Sequence, residues 1–355
     1  MRKAALGGVL AMSASLLVAC GEAPEDNGGD TKAADSDFLP CIVSDEGGFN
    51  DKSFNELTFN GVKQAADELE VDFKQFESKA EEDYAPALEN FVSAGCTAIV
   101  AVGFELAEAT IASANENEDI DYILIDHNAD TDFDGEVNAD NVKPVLYDTA
   151  QAAFLAGYAA ADYTKTGKVG TYGGDQFDTV TIFMDGFKQG VDHYNEVKDA
   201  DVKVVGMNLF TGSFENDTNA VAKAQQVIDQ DVDVIMPVGG PIYGGAMKVI
   251  GETDSDVALV GVDADLYESD PTTQEVVFVS VLKSLQQSTY EAVMAAGQGE
   301  LDYSEYVGTL ENGGVGISSF HNFEDKVSDT LPGELEELEQ AIIDGDLKVD
   351  SYLAD

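Results

Sequence analysis

Basic residues are scarce in this 355-residue chain: 18 Lys and Arg stand against 69 Asp and Glu, a formal charge of -51 at pH 7. Nucleic-acid binding needs a basic surface that displaces counterions from phosphates, so this balance excludes nucleic acid as a partner. It equally disfavours lying flat on anionic lipid. The three histidines, His127, His193 and His321, are far apart in sequence. The chain has no Gly-x-Ser-x-Gly elbow, no Cys-x-x-Cys pair and no phosphate loop, so it offers no constellation for catalysis and neither an enzyme nor a cofactor is expected. After the first 20 residues no apolar run is long enough to span a bilayer.

What is present begins with Arg2 and Lys3, an apolar run over 4–19, and Leu17-Val18-Ala19-Cys20 closing it as a lipobox. The short apolar core with small residues before Cys20 reads as a secretory signal over 1–19, not a spanning helix. Cleavage would leave Cys20 to carry diacylglycerol, whose buried methylenes at ~0.8 kcal/mol each would hold a soluble domain on the extracytoplasmic side of a membrane. Residues 20–37, rich in Gly, Asp, Glu and Ala with almost nothing apolar, read as a flexible tether. Acids are spread along the whole chain, which suits a solvating surface in salty surroundings where self-repulsion is screened.

From Phe38 the pattern becomes short apolar runs alternating with longer amphipathic ones, the signature of strand-helix-strand units and parallel sheets. Strands are predicted over 42–44, 71–75, 98–102 and 122–125, with helices over 53–69, 84–94 and 106–115 between them. A second set follows Pro144: helix 149–164, strand 168–172, helix 180–194, strand 203–208, helix 219–230, strand 234–238, helix 243–251 and strand 258–262. A strand over 276–282, a helix over 284–296, a short strand near 304–309 and a solvated terminal helix over 334–341 complete the expectation. Two similar α/β lobes result, with several crossings between them that make a hinge and leave a cleft. The predicted division is 38–146 plus 281–302 for the first lobe and 147–280 plus 303–355 for the second. Cys41 and Cys96 each precede an apolar strand; if the first and third strands are neighbours the two thiols could bridge, the alternative being two buried free thiols.

The loop Gly47-Gly48-Phe49-Asn50-Asp51-Lys52-Ser53-Phe54-Asn55 follows the first strand, where open parallel sheets bind ligands. Asp51 or Ser53 can cap the next helix, and Phe54 can face either the cleft or the core. Gly239 and Gly240, after another strand, would let backbone approach a ligand. The run Asp130-Thr131-Asp132-Phe133-Asp134-Gly135 matches the opening of a calcium loop, but Asn141 stands where the twelfth-position Glu should be, so an acidic surface turn and no metal is expected.

The stretch from Ser44 to Asn55 resembles the amino-terminal signature of the basic membrane protein family, the PnrA-like nucleoside-binding lipoproteins of ABC transporters. Phe154-Leu155-Ala156-Gly157-Tyr158-Ala159-Ala160, Gly261-Val262-Asp263-Ala264-Asp265 and Ser280-Val281-Leu282-Lys283 resemble its later signatures in the same order. The resemblance implies a type I periplasmic-binding-protein fold, two doubly wound parallel-sheet lobes joined by a multi-crossover hinge. It also implies capture of purine or other nucleosides for an importer, with an ABC permease and its ATPase as partners. Phe54 and Phe214 match the aromatics that hold the base. Asp45 resembles the carboxylate that accepts from the ligand, Asp126 occupies a similar strand end, Asp263 and Lys283 resemble further polar contacts to ribose hydroxyls or base edge, and Gly240 is a candidate for backbone contact. Pro241-Ile242-Tyr243-Gly244 departs from the family's usual Thr-Gly-Leu-Gly. Phe183 is a further aromatic candidate, although Val180, Phe183, Phe187 and Val191 form one helical stripe and can all be core. A receptor for a sugar or other small polar solute, or an anchored ligand sensor, is the competing reading.

Overall fold

Near-continuous runs of Val, Ile, Leu and Ala build strands buried on both faces, as parallel sheets require. In the computed structural model, which describes residues 37–253 and 255–354, two six-stranded sheets form in sequence order. The predicted signal, Cys20 and the tether up to residue 36 lie outside the described residues. The first half comprises β1 (Pro40–Ser44), α1 (Phe54–Leu69), β2 (Lys74–Glu77), α2 (Tyr84–Ser93), β3 (Ala98–Val102), α3 (Ala107–Glu116), β4 (Asp121–Ile125) and β5 (Val142–Tyr147). The second comprises α4 (Thr149–Tyr163), β6 (Lys168–Gly173), α5 (Asp178–Lys198), β7 (Lys203–Val205), α6 (Thr218–Ile228), β8 (Val234–Val238), α7 (Tyr243–Thr253), β9 (Ala258–Asp263), the short α8 (Leu266–Ser269) and β10 (Val277–Lys283). The chain ends with α9 (Leu285–Gln298), β11 (Tyr306–Gly308), β12 (Val315–Ile317) and α10 (Leu331–Ile343).

The sheets run β2-β1-β3-β4-β5-β11 and β7-β6-β8-β9-β10-β12, the same order twice. Every pairing is parallel except β10 with β12, which is antiparallel. The expected architecture of two α/β lobes is the one formed. The predicted division is corrected at two places. Residues 281–283 belong to β10 in the second sheet, and β11 at 306–308 pairs with β5 in the first. The reason is local: α9 packs on α1 of the first lobe, so the strand after it reaches the free edge of β5 before the chain returns. Three crossings therefore connect the lobes, at Asp148, at Ser284 and over 309–314. Asp148 N donates to Gly308 O at 2.8 Å and Ser284 N to Gly314 O at 2.9 Å, so the three strands are stitched to one another.

Helix α4 is almost wholly buried, because Ala and Gly let α5 approach closely: a β-carbon at Gly157 would strike the Phe187 carbonyl and one at Gly190 the Phe154 carbonyl. Phe187 and Val191 of the helical stripe end in that core. Helix α10 is not the solvated helix expected. Leu331 and Leu335 are buried, and Glu334 accepts hydrogen bonds from Tyr158 Oη at 2.7 Å and Lys198 Nζ at 2.6 Å. Cys41 and Cys96 are joined in a disulfide with Cα atoms 6.0 Å apart, and β1 does neighbour β3. Among the described residues no helix is long and apolar enough to cross a membrane.

Candidate functional site

The carboxyl ends of β1, β3 and β4 face those of β8, β9 and β10, and the first turns of α1 and α5 close the gap between them. A narrow cavity of about 60 Å³ lies there. All eight predicted site residues stand on its wall: Asp45, Phe54 and Asp126 from the first lobe, Phe183, Phe214, Gly240, Asp263 and Lys283 from the second.

Lys283, the last residue of β10, is the electrostatic centre. Its side chain is 3% exposed, with Nζ 2.5 Å from Asp126 Oδ2 and 3.6 Å from Asp263 Oδ1. Three rings surround the same ammonium, their centroids 5.1 Å (Phe54), 5.2 Å (Phe183) and 5.4 Å (Tyr147) away, which is cation–π range. Burial opposes its charge, yet Asp126 and Asp263 prevail and hold the amine above its ordinary range. Phe183 is thus both core and cavity wall: it is 2% exposed and presents a face to the ammonium.

Asp126 follows β4 and Asp263 ends the equivalent strand β9, and both take left-handed backbone angles, φ 62° and 66°. Such angles are uncommon for a side-chain-bearing residue but well tolerated by Asp, and they turn the carboxylates off the strand ends toward one point. Burial pushes Asp263 up to about 6, with Lys283 pulling down and Asp126 and Asp51 pushing up. Its Oδ2 accepts from Ser53 Oγ at 3.3 Å, whereas Oδ1 faces the Lys283 ammonium at 3.6 Å.

Asp45 follows β1. Its Oδ1 accepts from Asn55 Nδ2 at 2.8 Å and Gly47 N at 3.0 Å. Burial, reinforced by repulsion from Asp51 and Glu105 and opposed by those two donors, pushes its carboxyl up to about 7. Asp51, not Ser53, caps α1. It accepts from the backbone N–H groups of Ser53, Asn55 and Glu56 at 3.0, 2.8 and 3.0 Å. Asp51 itself is raised by burial against those donors.

Phe214 reaches the cavity because Gly174 and Gly239 lack side chains: a β-carbon on either would fall within 2.8 Å of its ring. The pair Gly239-Gly240 thus seats an aromatic ring as well as exposing backbone. Gly240, at φ 53°, has only Asp51 Oδ2 near the place a β-carbon would take. Pro241 after it stands on the wall.

Asn55 and Phe104 also line the cavity and were missed. Asn55 lay within the quoted signature, and its helical position three residues before a buried Thr58 gave no sign that it would turn toward Asp45. Phe104 follows Gly103 at the end of β3, the strand-end position that located the other site residues. His127 is not part of the wall. Its Nδ1 accepts from Ala129 N at 2.9 Å in a tight turn. In the acidic loop, Asp130 gives its oxygens to the N–H groups of Asp134 and Gly135, and Asn141 donates to the carbonyls of Ala114, Asn117 and Ile120.

Comparison with known proteins gives a consistent picture. The family described as ABC transporter substrate-binding protein PnrA-like matches residues 39–351. The chain is 31% identical over 220 residues to basic membrane protein A of Borreliella afzelii, covering 62% of this chain and 64% of that protein, a little under two thirds of its length. It is 27% identical over 357 residues to the ABC transporter nucleoside-binding protein BmpA of Lactococcus lactis subsp. cremoris, covering 95% of this chain and 96% of that one. A crystal structure of an ABC transporter system solute-binding protein from Aeropyrum pernix superposes with a TM-score of 0.79 at 25% identity, covering 89% and 94% of the two chains.

Proposed function

Because the chain belongs to the PnrA-like family of ABC transporter substrate-binding proteins, we propose that it captures purine nucleosides between its lobes and delivers them to an ABC permease and ATPase from a lipid anchor at Cys20. The observation that carries this reading is one cavity in which each lobe supplies an aromatic ring, Phe54 and Phe214, beside strand-end carboxylates grouped around one caged ammonium. A planar heterocycle suits the rings, and stacking on an aromatic is worth roughly 1–3 kcal/mol per base. A neutral nucleoside brings hydroxyl and amino donors, which suit carboxylate acceptors. One buried acceptor, Asn55 Oδ1, has no hydrogen-bond donor among the described residues. It costs about 1–3 kcal/mol while unpaired, so a ligand donor there adds affinity. Contact with both lobes at once favours the closed form, since a ligand shifts an equilibrium by its differential affinity.

Calorimetry with inosine, guanosine and adenosine, set beside free bases, ribose and myo-inositol, tests the reading. Nucleosides should bind most tightly, and Phe54→Ala and Phe214→Ala should each weaken binding by roughly 1–3 kcal/mol without loss of fold. Tighter binding of a sugar than of any nucleoside, or affinities untouched by both substitutions, would overturn it.

A further inference from the structure

The lobes also meet at the cavity mouth, through side chains that the nucleoside reading does not use. Phe104 extends from the end of β3 on the first lobe, and Phe177 stands before α5 on the second. Their ring centroids are 4.3 Å apart at 42°, and Phe104 also meets Phe214 edge-on at 5.9 Å. Phe177 is 41% exposed and does not line the cavity. An aromatic ring left that exposed contributes little to the fold of its own lobe. Its ring contact crosses to the other lobe.

The surroundings of this contact are acidic on both sides. Glu46 of the first lobe is repelled by Glu215 of the second, and Glu105 of the first by Asp175 of the second, with Glu81 and Glu82 adding to the same field. Tyr84 Oη donates to Glu105 at 3.1 Å and holds that carboxylate in place. Closing the lobes therefore brings like charges together around one apolar contact. Repulsion between solvent-reached charges fades as the Debye length falls from ~10 Å at 0.1 M salt to ~3 Å at 1 M, whereas ring contact does not weaken with salt.

We propose that Phe104 and Phe177 form an interlobe clasp that holds the cleft shut against the acids around it, so that closure, and with it ligand residence, increases with salt. Phe177 is then a positioning residue: it acts on the ligand through the lobe angle without touching it. The part that concerns residence rests on the nucleoside reading; the clasp itself does not.

The test uses the full chain as wild type, Phe177→Ala, and the double variant Glu46→Gln with Glu105→Gln. Small-angle scattering without ligand at 0.1 and 3 M NaCl reads closure, and because the amino-terminal segment is common to all three proteins, differences between them report the lobes. Wild type should be more compact at 3 M than F177A, and the Gln double variant should already be compact at 0.1 M. Melting temperatures measured alongside should place F177A within a few degrees of wild type, as an exposed ring requires. Stopped-flow dissociation of inosine should be roughly 3–10-fold faster in F177A, with the association rate within a factor of two, the effect expected of losing one aromatic pair. Equal radii of gyration for wild type and F177A at both salts, or a Gln variant no more compact than wild type at 0.1 M, would refute the clasp. Absence of inosine binding to wild type would instead defeat the reading of the cavity, and the scattering would still decide the clasp.

Discussion

Replacing Lys283 by Met removes the cation that pairs with the cavity carboxylates Asp126 and Asp263 and leaves a chain of similar reach. Lys283 Nζ is 2.5 Å from Asp126 and 3.6 Å from Asp263 and lies over three rings, with its side chain 3% exposed. Taking away one partner of a buried pair leaves the other charge uncompensated, which costs about 3–5 kcal/mol, a large fraction of the ~5–15 kcal/mol stability of an ordinary domain. The cost should be partly relieved by protonation. Asp263 is already pushed up to about 6 by burial, and Lys283 pulls it down, so without Lys283 the native state keeps that proton to higher pH. The K283M protein should therefore lose stability relative to wild type as pH rises above about 6, since stability falls with pH wherever the native state binds more protons. Urea unfolding at fixed NaCl is the suitable assay, because guanidinium is itself a salt and would screen the effect. Adding Asp126→Asn to K283M should restore more than half of the loss, a coupling of about 2 kcal/mol or more between touching residues. A K283M protein within 1 kcal/mol of wild type, or a double variant whose losses simply add, would refute the view of Lys283 as the keystone between two carboxylates.

Asp45 should couple ligand binding to pH. Its carboxyl is pushed up to about 7 in the ligand-free protein, so a donor that needs the ionised form must displace a proton below that value. Inosine affinity should rise by up to tenfold per pH unit from 5 to 7 and level off above, while Asp45→Asn should be flat; a parallel pH profile for the two proteins would end this account. The sign for stability is opposite. Between 3.8 and about 7 the native state holds the proton more tightly than the unfolded chain, so the advantage over Asp45→Asn declines across that window, by on the order of 4 kcal/mol at 1.36 kcal/mol per unit. The Cys41–Cys96 bridge closes a loop of 55 residues, which loop entropy values at ~4 kcal/mol. Reduction should lower the urea midpoint of the whole chain, and an unchanged midpoint would show that the bridge constrains nothing that unfolds.

The strands, the helices between them and the two lobes were legible because each follows from local pattern: apolar runs of four to six residues, then Asp or Gly, then an amphipathic stretch; the cavity residues were named through the family resemblance. What could not be read was anything decided by which lobe a short segment joins. β11 and β12 are three residues each and carry no periodicity that separates one sheet from the other; the position of α9 against α1 decides it. Phe104 was missed for a related reason, since its partners Phe177 and Phe214 lie on the other lobe and more than 70 residues away. The internal symmetry was equally silent. No repetition is detectable between the halves of the sequence, yet both sheets share one strand order, and the residue after or at the end of the fourth strand in each is an Asp with φ near 65°. Those two carboxylates approach one ammonium from opposite lobes, and Lys283 sits at the end of the fifth strand of the second sheet, beside a crossing. A site built this way is complete only when both lobes present their strand ends to each other. Contacts that cross the cleft, among them Lys283 with Asp126, Ser53 with Asp263 and Phe104 with Phe177 and Phe214, are then joined by those of a bound solute, which shifts the balance between the lobes by its differential affinity.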